Sequence, residues 1–465
     1  MRHTKLALAA MALAVLAGCG GTSPTPGNQT LKQSYSAQVS FGDSLSDVGS
    51  YAVGTVKALG GGKYTINGDN TSINPALTGK NWTELVAAQL GLAAPCAAQT
   101  GLTGDASEGF SVPVTNHAGC YGYAQGGARV TNPVGPGNAL TGSPLGQLTV
   151  PVVTQVANHL AAVGGKFSGT EIVFVMAGGN DALFQLSSLS AAATAAGTAA
   201  GTAAGNTAFA TSLVTQLAAG ATNPATAAQS IGLAVATESA RSGSTSQSIV
   251  AAAAGAAYAA GNTSAADPAT VGAIATKAAA DGAAAGATAG AQAGAAYAAA
   301  HGADAVAAMT QAGTELANLV TTQIVGNGAN HVVVNNLPDL ATAPASTSQP
   351  ASTQALIATM VTAFNTALSQ GLSNQPKVLL VDVYSTSHDQ VINPAPYGLT
   401  NVTDTACDLS AAKNPLGSSL VCNASNVIAG DVSHYAFADT VHPTPFNYLL
   451  LARYVAEKMV AAGWL

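Results

Sequence analysis

The sequence predicts an α/β fold in which helices cover both faces of a parallel β-sheet, and three observations support this. Short runs of apolar, β-branched residues recur without strict alternation of apolar and polar positions, as is typical of strands buried in parallel sheets. Longer helix-like stretches separate these runs. Polar residues follow the ends of the runs, and this is the edge where parallel sheets form their binding sites.

The predicted elements follow one another along the chain. The four apolar runs are too short for helices, and we interpret them as strands at residues 39–41, 172–176, 331–334 and 378–383. Helices are predicted at residues 81–90, 148–163, 314–325, 354–372 and 447–462.

Residues 1–18 are predicted to be a signal peptide rather than part of the fold. Arg2 and Lys5 give a positively charged start before an apolar run that is too short to span a membrane. The following Leu-Ala-Gly-Cys resembles the cleavage site of a bacterial lipoprotein, which implies a lipid on Cys19. The alternative is an ordinary secretory signal.

The two signals predict different attachments but the same export from the cytoplasm. A lipid anchor would hold the protein on a membrane of the cell envelope, with the outer membrane as the expected location, whereas an ordinary signal would leave it secreted. Residues 19–35, rich in Gly, Ser, Thr and Pro, are predicted to be a flexible tether to a domain at 36–465.

Charge argues against a nucleic-acid partner. Charged residues are 8% of the 465 residues, and the formal net charge is −7. Loss of the two basic residues of the signal peptide leaves −9 on the mature chain. Nucleic-acid binding needs clustered Lys and Arg, so we expect no nucleic-acid partner.

The cysteines fall into two pairs once Cys19 is set aside. Their spacing predicts disulfides between Cys96 and Cys120 and between Cys407 and Cys422, formed in an oxidising compartment. Four reduced thiols in the core are the alternative. The absence of a Cys-x-x-Cys pair argues against a zinc site.

A segment from about 187 to 304 interrupts the strand and helix pattern, because it is dominated by Ala, Gly and Thr. Glycines recur every four residues, as at Gly197, Gly201 and Gly205, and would give a helix one nearly smooth face for a close helical neighbour. We therefore predict a mostly helical insertion. Partly ordered low-complexity sequence is the alternative, and the polar residues within each apolar run disfavour a membrane span.

Four separated segments contain the groups that a serine nucleophile requires: a base, a carboxylate and oxyanion donors. A Gly-Asp-Ser-Leu sequence places Ser44 on the turn after the first predicted strand, and a Gly-Gly pair ends at Gly127. A Gly-Gly-Asn-Asp sequence places Asn180 after the second strand. Asp439 lies three residues before His442, close enough to hold one ring nitrogen while the other faces the serine.

With these segments in this order, the chain resembles the GDSL esterase and lipase family, also called the SGNH hydrolases. The resemblance covers about residues 36–186 and 305–465 and leaves the insertion unmatched. It implies a three-layer, flavodoxin-like parallel sheet with helices on both faces.

The resemblance also implies a role for each residue. Ser44 is the nucleophile, and Asp439 and His442 complete a catalytic triad. The backbone N–H groups of Ser44 and Gly127 and the side-chain amide of Asn180 form the oxyanion hole.

Each of these residues also has an ordinary structural interpretation. Ser44 would cap the following helix, Asn180 would belong to a simple turn, and Gly127 would suit any tight turn. His442 would be a surface histidine. The other seven histidines lack an equivalent partner pattern and are predicted to be structural or exposed.

We therefore expect an exported carboxylic ester hydrolase that acts on lipids or small acyl esters through an acyl-enzyme. The alternatives are an acyltransferase or phospholipase with the same site, and a non-catalytic surface lipoprotein. Neither a His-Glu-x-x-His nor a phosphate-loop motif occurs, so no metal or cofactor is expected. The insertion follows Asn180 and is expected to cover or extend the acyl pocket. Nothing in the sequence indicates an oligomeric state.

Overall fold

The computed structural model describes residues 33–68 and 78–465. The predicted signal peptide, Cys19 and all but the last three residues of the predicted tether lie outside the described residues.

A parallel sheet of four strands lies at the centre of the fold. The strands of the described residues are Gln38–Gly42 (β1), Gln99–Thr103 (β2), Ser111–Asn116 (β3), Ile172–Met176 (β4), His331–Asn335 (β5), Val378–Val381 (β6), Asn401–Thr405 (β7) and Tyr435–Phe437 (β8). The central sheet has the order β1-β4-β5-β6, with Val39 opposite Val173 and Val173 opposite Val332. β2 and β3 form an antiparallel pair, and β7 and β8 form a small parallel pair.

Eleven α-helices of the described residues surround the strands. They are Gly54–Ala58 (α1), Trp82–Gln89 (α2), Val152–Ala162 (α3), Gly179–Ala219 (α4), Pro224–Ser239 (α5), Ser246–Ala259 (α6), Pro268–Leu319 (α7), Pro344–Thr347 (α8), Ala351–Leu372 (α9), Val383–Ile392 (α10) and Pro445–Ala461 (α11). The predicted α/β class with a parallel sheet is confirmed.

Two of the predicted elements differ from the structure. The fourth predicted strand, 378–383, ends at Val381 because Asp382 caps a helix: its side chain accepts a hydrogen bond from the backbone N–H of Ser385, and α10 begins at Val383. The helix predicted at 314–325 is the end of the much longer α7, which continues into a short π-helical segment.

The core lies on both faces of the central sheet, because alternate residues of a strand point to opposite faces. Val173 and Val175 belong to an apolar cluster with side chains of α3, α7 and α9. Phe174 and Met176 belong to a second cluster with side chains of α2 and α11. One helix of the described ranges, α9, is long and apolar enough to cross a membrane, but its buried residues pack in the first of these clusters.

The Ala/Gly-rich insertion is helical. Its two long helices, α4 and α7, pack against each other along a row of glycines, and a Cβ added to Gly201 would lie 2.8 Å from the carbonyl oxygen of Gly286. The limits predicted from composition, near 187 and 304, fall within these helices rather than at their ends. Both helices therefore run from the insertion into the main domain without a loop.

The four cysteines of the described residues form two disulfides. Cys96 is bonded to Cys120 and Cys407 to Cys422, with Cα–Cα distances of 5.0 Å and 6.0 Å.

Candidate active site

Ser44 lies on a tight turn at the carboxyl end of β1. Gly42 has φ = +150°, and a Cβ at this position would lie 2.1 Å from the carbonyl oxygen of Met176, so glycine is required for the close approach to β4. The Asp43 carboxylate accepts a hydrogen bond from the backbone N–H of Leu45 at 3.1 Å, which tightens the turn. The Ser44 side chain faces a cavity at this edge of the sheet.

Ser44, His442 and Asp439 form a continuous chain of hydrogen bonds. The Ser44 Oγ lies 2.9 Å from Nε2 of His442. The other ring nitrogen, Nδ1, lies 2.8 Å from Oδ2 of Asp439. Residues 398 positions apart are thus brought into contact, and the hydroxyl is within reach of a nitrogen base.

Asp439 is fully buried and held by backbone donors. Its carboxylate accepts hydrogen bonds from the backbone N–H of Ser419 at 2.7 Å and of His442 at 2.8 Å. Burial alone would raise the pKa of Asp439, but the His442 ring and these donors outweigh burial and hold the pKa well below its usual value. The carboxylate therefore stays ionised and fixes the orientation of the ring.

Tyr64 packs against the ring of His442, with a distance of 4.7 Å between the ring centroids. Its hydroxyl accepts a hydrogen bond from the side-chain amide of Gln147. Neither residue could be predicted, because nothing in the local sequence links them to a histidine so far along the chain.

Gly127 occupies a turn that only glycine fits. Its φ is +78°, and an added Cβ would lie 2.3 Å from the carbonyl oxygen of Pro136. Asp47 accepts a hydrogen bond from the neighbouring Gly126 N–H at 2.9 Å, so it braces this turn. Within residues 33–68 and 78–465, the backbone N–H groups of Ser44 and Gly127 donate to no other protein group.

Asn180 lies in the first turn of α4. One N–H of its side-chain amide donates to the carbonyl oxygen of Ala128 at 2.9 Å, which leaves the second N–H for another acceptor. Next to it, the Asp181 carboxylate binds the Arg129 guanidinium at 2.9 Å and the backbone N–H of Val130 at 3.0 Å. The residues after Gly127 are therefore clamped to the start of α4.

These side chains share one cavity of about 410 Å³. Ser44, Gly127, Asn180 and His442 all line it, whereas Asp439 lies behind the histidine. Most of the remaining wall is apolar, from Leu45, Tyr64, Met176, Leu183, Leu186, Leu337, Leu340, Ile357, Leu416, Leu420 and Val441. A polar reacting group would thus meet the serine in a cavity whose wall is mostly apolar.

A second histidine, whose side chain is 46% exposed, also pairs with a buried carboxylate. His388 Nδ1 lies 2.7 Å from Oδ2 of Asp339, 49 positions earlier in the chain, a separation that sequence spacing could not reveal. No serine hydroxyl in the described residues bonds the other nitrogen of this ring. Across the described ranges, no group of three or more His, Cys, Asp or Glu side chains is arranged to hold a metal ion.

Fold and site together define an α/β protein with a hydrogen-bonded Ser-His-Asp set at the carboxyl edge of a parallel sheet. The chain is 31% identical to a GDSL esterase/lipase of Arabidopsis thaliana over 83 residues. These residues are 18% of this chain. The match covers 22% of the relative, so the chain spans about a fifth of that protein's length. No protein family model matches the chain. This partial similarity suggests the GDSL family and a hydrolase, and nothing finer.

Proposed function

We propose that the protein is a serine hydrolase that cleaves carboxylic esters through an acyl-enzyme on Ser44, with the three-layer arrangement of the SGNH hydrolases. The observation that carries the proposal is the hydrogen-bonded chain from Ser44 through His442 to Asp439, which opens into a cavity shared with Gly127 and Asn180. The distant similarity to a GDSL esterase/lipase supports the same class.

In the proposed reaction, Nε2 of His442 takes the hydroxyl proton as Oγ of Ser44 attacks the ester carbonyl carbon. Asp439, held ionised, stabilises the resulting imidazolium. When the tetrahedral intermediate collapses, the alcohol leaves with the proton from His442. Water then attacks the acyl-enzyme in the same way and releases the carboxylic acid.

The negative charge of each intermediate lies on the former carbonyl oxygen. The free N–H groups of Ser44 and Gly127 and the second amide N–H of Asn180 are the donors proposed to stabilise it. Loss of one such donor typically costs about 3 kcal/mol of transition-state stabilisation. Because the Asp181 clamp holds this segment in place before substrate binds, the donors need little reorganisation during the reaction.

The proposal is tested with Ser44→Ala and p-nitrophenyl esters of short fatty acids. We expect kcat to fall by roughly 10⁴-fold or more, because the nucleophile is lost. His442→Ala should have a comparable effect. The matched control is His388→Ala, which breaks the pair of this half-exposed histidine with Asp339 without touching Ser44 and should retain turnover. Retention of turnover in Ser44→Ala would exclude the proposed mechanism.

We also propose that the protein is anchored to the cell envelope through a lipid on Cys19, which rests on the sequence of residues 1–19 alone. In cells that express the full chain, Cys19→Ala should abolish incorporation of labelled fatty acid and move the protein out of the membrane fraction. Unchanged membrane association and labelling would exclude this anchor.

A further inference from the structure

The wall of the cavity next to Ser44 is built in part by the first two turns of α4, which precede the Ala/Gly-rich insertion. Among the described residues, none between 187 and 304 lines this cavity, so the insertion itself does not cover it as expected. Four residues of these turns occupy one face of α4 at the spacing i, i+3, i+4 and i+7, namely Gly179, Ala182, Leu183 and Leu186. Residues with this spacing form one stripe along a helix. Asn180 lines the same cavity from the same helix, so the cavity follows α4 for about two turns from the proposed oxyanion donor.

We call the part of the cavity that follows this stripe of α4 the channel. Its opposite wall is also apolar and is held in place by the core. Ile357 of α9 is 3% exposed and lines the cavity, and Leu186 packs against the core cluster that contains it. α9 packs in turn against α7, the second long helix of the insertion. Between α4 and α9, the channel is therefore walled by helices that the core holds in place.

We infer that this stripe of α4 binds the acyl chain of the substrate and that Leu183 and Leu186 determine the preferred chain length. The inference rests on the proposed function and specifies the substrate class as esters of unbranched aliphatic acids. A chain that leaves the carbonyl carbon near Asn180 passes Leu183 first and Leu186 one turn later. Asp43 lines the cavity next to Ser44, but the stripe of α4 carries no charged side chain and favours methylene groups over hydroxylated or charged substituents.

The rise of the helix sets the expected lengths. At 1.5 Å per residue, Leu183 lies about 4.5 Å and Leu186 about 9 Å beyond Asn180 along the helix axis. A fully extended chain advances about 1.2 Å per bond, as the reach of an extended peptide implies. An acyl chain of about four carbons therefore ends near Leu183, and one of about eight carbons ends near Leu186.

The test uses fluorophosphonates with ethyl, octyl and dodecyl chains and measures the rate constant for covalent labelling of Ser44 in each protein. Leu186→Trp should lower the dodecyl-to-ethyl and octyl-to-ethyl rate ratios, and Leu183→Trp should lower the octyl-to-ethyl ratio more. Each methylene that no longer fits should cost on the order of tenfold. Leu186→Ala lengthens the channel and should raise the dodecyl-to-ethyl ratio, a gain that a misfolded variant would not show.

The matched control is Leu233→Trp, because Leu233 lies on the insertion but is 70% exposed and lines no part of the cavity. Its rate ratios should equal those of the unmodified protein. Identical ratios in all variants would overturn the inference while leaving the nucleophile in place. Failure of every reagent to label Ser44 would instead overturn the proposed function itself.

Discussion

The Asp47 carboxylate accepts a hydrogen bond from the backbone N–H of Gly126 at 2.9 Å, which joins the serine turn to the turn that contains Gly127. The same carboxylate accepts the N–H groups of Gly49 and Ser50 at 2.8 Å and 2.7 Å. Burial raises the pKa of Asp47 to about 6, although these three donors favour the ionised form. One buried carboxylate therefore positions both the turn of Ser44, the proposed nucleophile, and the turn of Gly127, a proposed oxyanion donor.

Asp47→Asn is expected to lower both activity and stability. An amide has one acceptor oxygen where the carboxylate has two, so at least one N–H of the two turns loses its partner. We expect a cost of about 1 to 3 kcal/mol in the free energy of unfolding and a fall in kcat for ester hydrolysis larger than any rise in KM. Chemical denaturation and steady-state kinetics measure the two effects.

The control for this variant is Asp105→Asn. Asp105 also accepts a backbone hydrogen bond, from Ser107 at 2.7 Å, but it is exposed, so its replacement should change neither quantity appreciably. An Asp47→Asn protein with the kcat of the unmodified protein would contradict the bracing role.

The disulfide between Cys407 and Cys422 is expected to support the site directly. Both cysteines are fully buried, and the loop that they close contains Ser419, whose N–H holds the carboxylate of Asp439. Replacement of both cysteines by Ala should cost about 3 kcal/mol of stability and also lower kcat, because the donor to Asp439 is no longer fixed.

The second disulfide provides the comparison. Cys96 and Cys120 close a longer loop, with a sequence separation of 24 against 15, but neither cysteine nor its loop donates to the Ser-His-Asp set. Its double Ala variant should lose stability with a smaller loss of kcat at a temperature where both variants are folded. Equal losses of kcat would argue against a specific link between Ser419 and Asp439.

The central strands could be predicted because they are buried or half-buried on both faces and consist mostly of apolar residues. Ile172–Met176 was predicted with the bounds that it has. By contrast, Ser111–Asn116 is almost entirely exposed, so it carries no apolar pattern, and the pair β2–β3 was missed. Val383 was assigned to a strand because it is apolar, although the Asp382 cap already starts a helix there.

Some contacts of the candidate site could likewise be predicted from the sequence, and others could not. Asp439 and His442 could be connected because the two residues that touch are also close in the chain. The contacts of His442 with Tyr64 and of Asp439 with Ser419 depend on how separate loops pack, and no local pattern encodes them. Asp47 is an intermediate case, because Gly49 and Ser50 lie within three residues of it, whereas Gly126 is 79 positions away.

The buried His159 is expected to make the folded protein less stable in mild acid. The ring is 2% exposed, packs against Phe41, Tyr123 and Phe167, and leaves Nδ1 without a hydrogen-bond partner in the described structure. Burial lowers the pKa of His159 to about 4, against the opposing effect of the Glu171 carboxylate. In the unfolded chain the pKa is about 6.5, so between these values the unfolded state binds a proton that the folded state does not.

The contribution of His159 to stability is therefore fully present above about pH 6.5 and is lost as the pH falls towards 4. We expect this loss to be on the order of 1 to 2 kcal/mol, measured as the free energy of unfolding by urea at several pH values. His159→Phe should reduce the pH dependence in this window, whereas His434→Phe, at a half-exposed histidine, should retain it. A His159→Phe protein with unchanged pH dependence would show that other groups cause the acid sensitivity.

Two glycines of the insertion should respond to the same substitution with opposite signs. A Cβ at Gly201 would lie 2.8 Å from the backbone oxygen of Gly286, so Gly201→Ala must push α4 and α7 apart. A Cβ at Gly232, in α5, would meet no atom within 4 Å. Alanine is the better helix former, so Gly232→Ala should stabilise the protein by about 0.5 to 1 kcal/mol.

At Gly201 the overpacking cost, about 1 to 3 kcal/mol, offsets or exceeds the gain in helix propensity, and we expect a net loss of stability. Thermal and urea unfolding of the two single variants, under identical conditions, measures the difference. Because α4 also carries Leu186, the Gly201→Ala variant is the more informative of the two for the site. Stabilisation by both substitutions would mean that the two long helices do not pack through their glycines in solution.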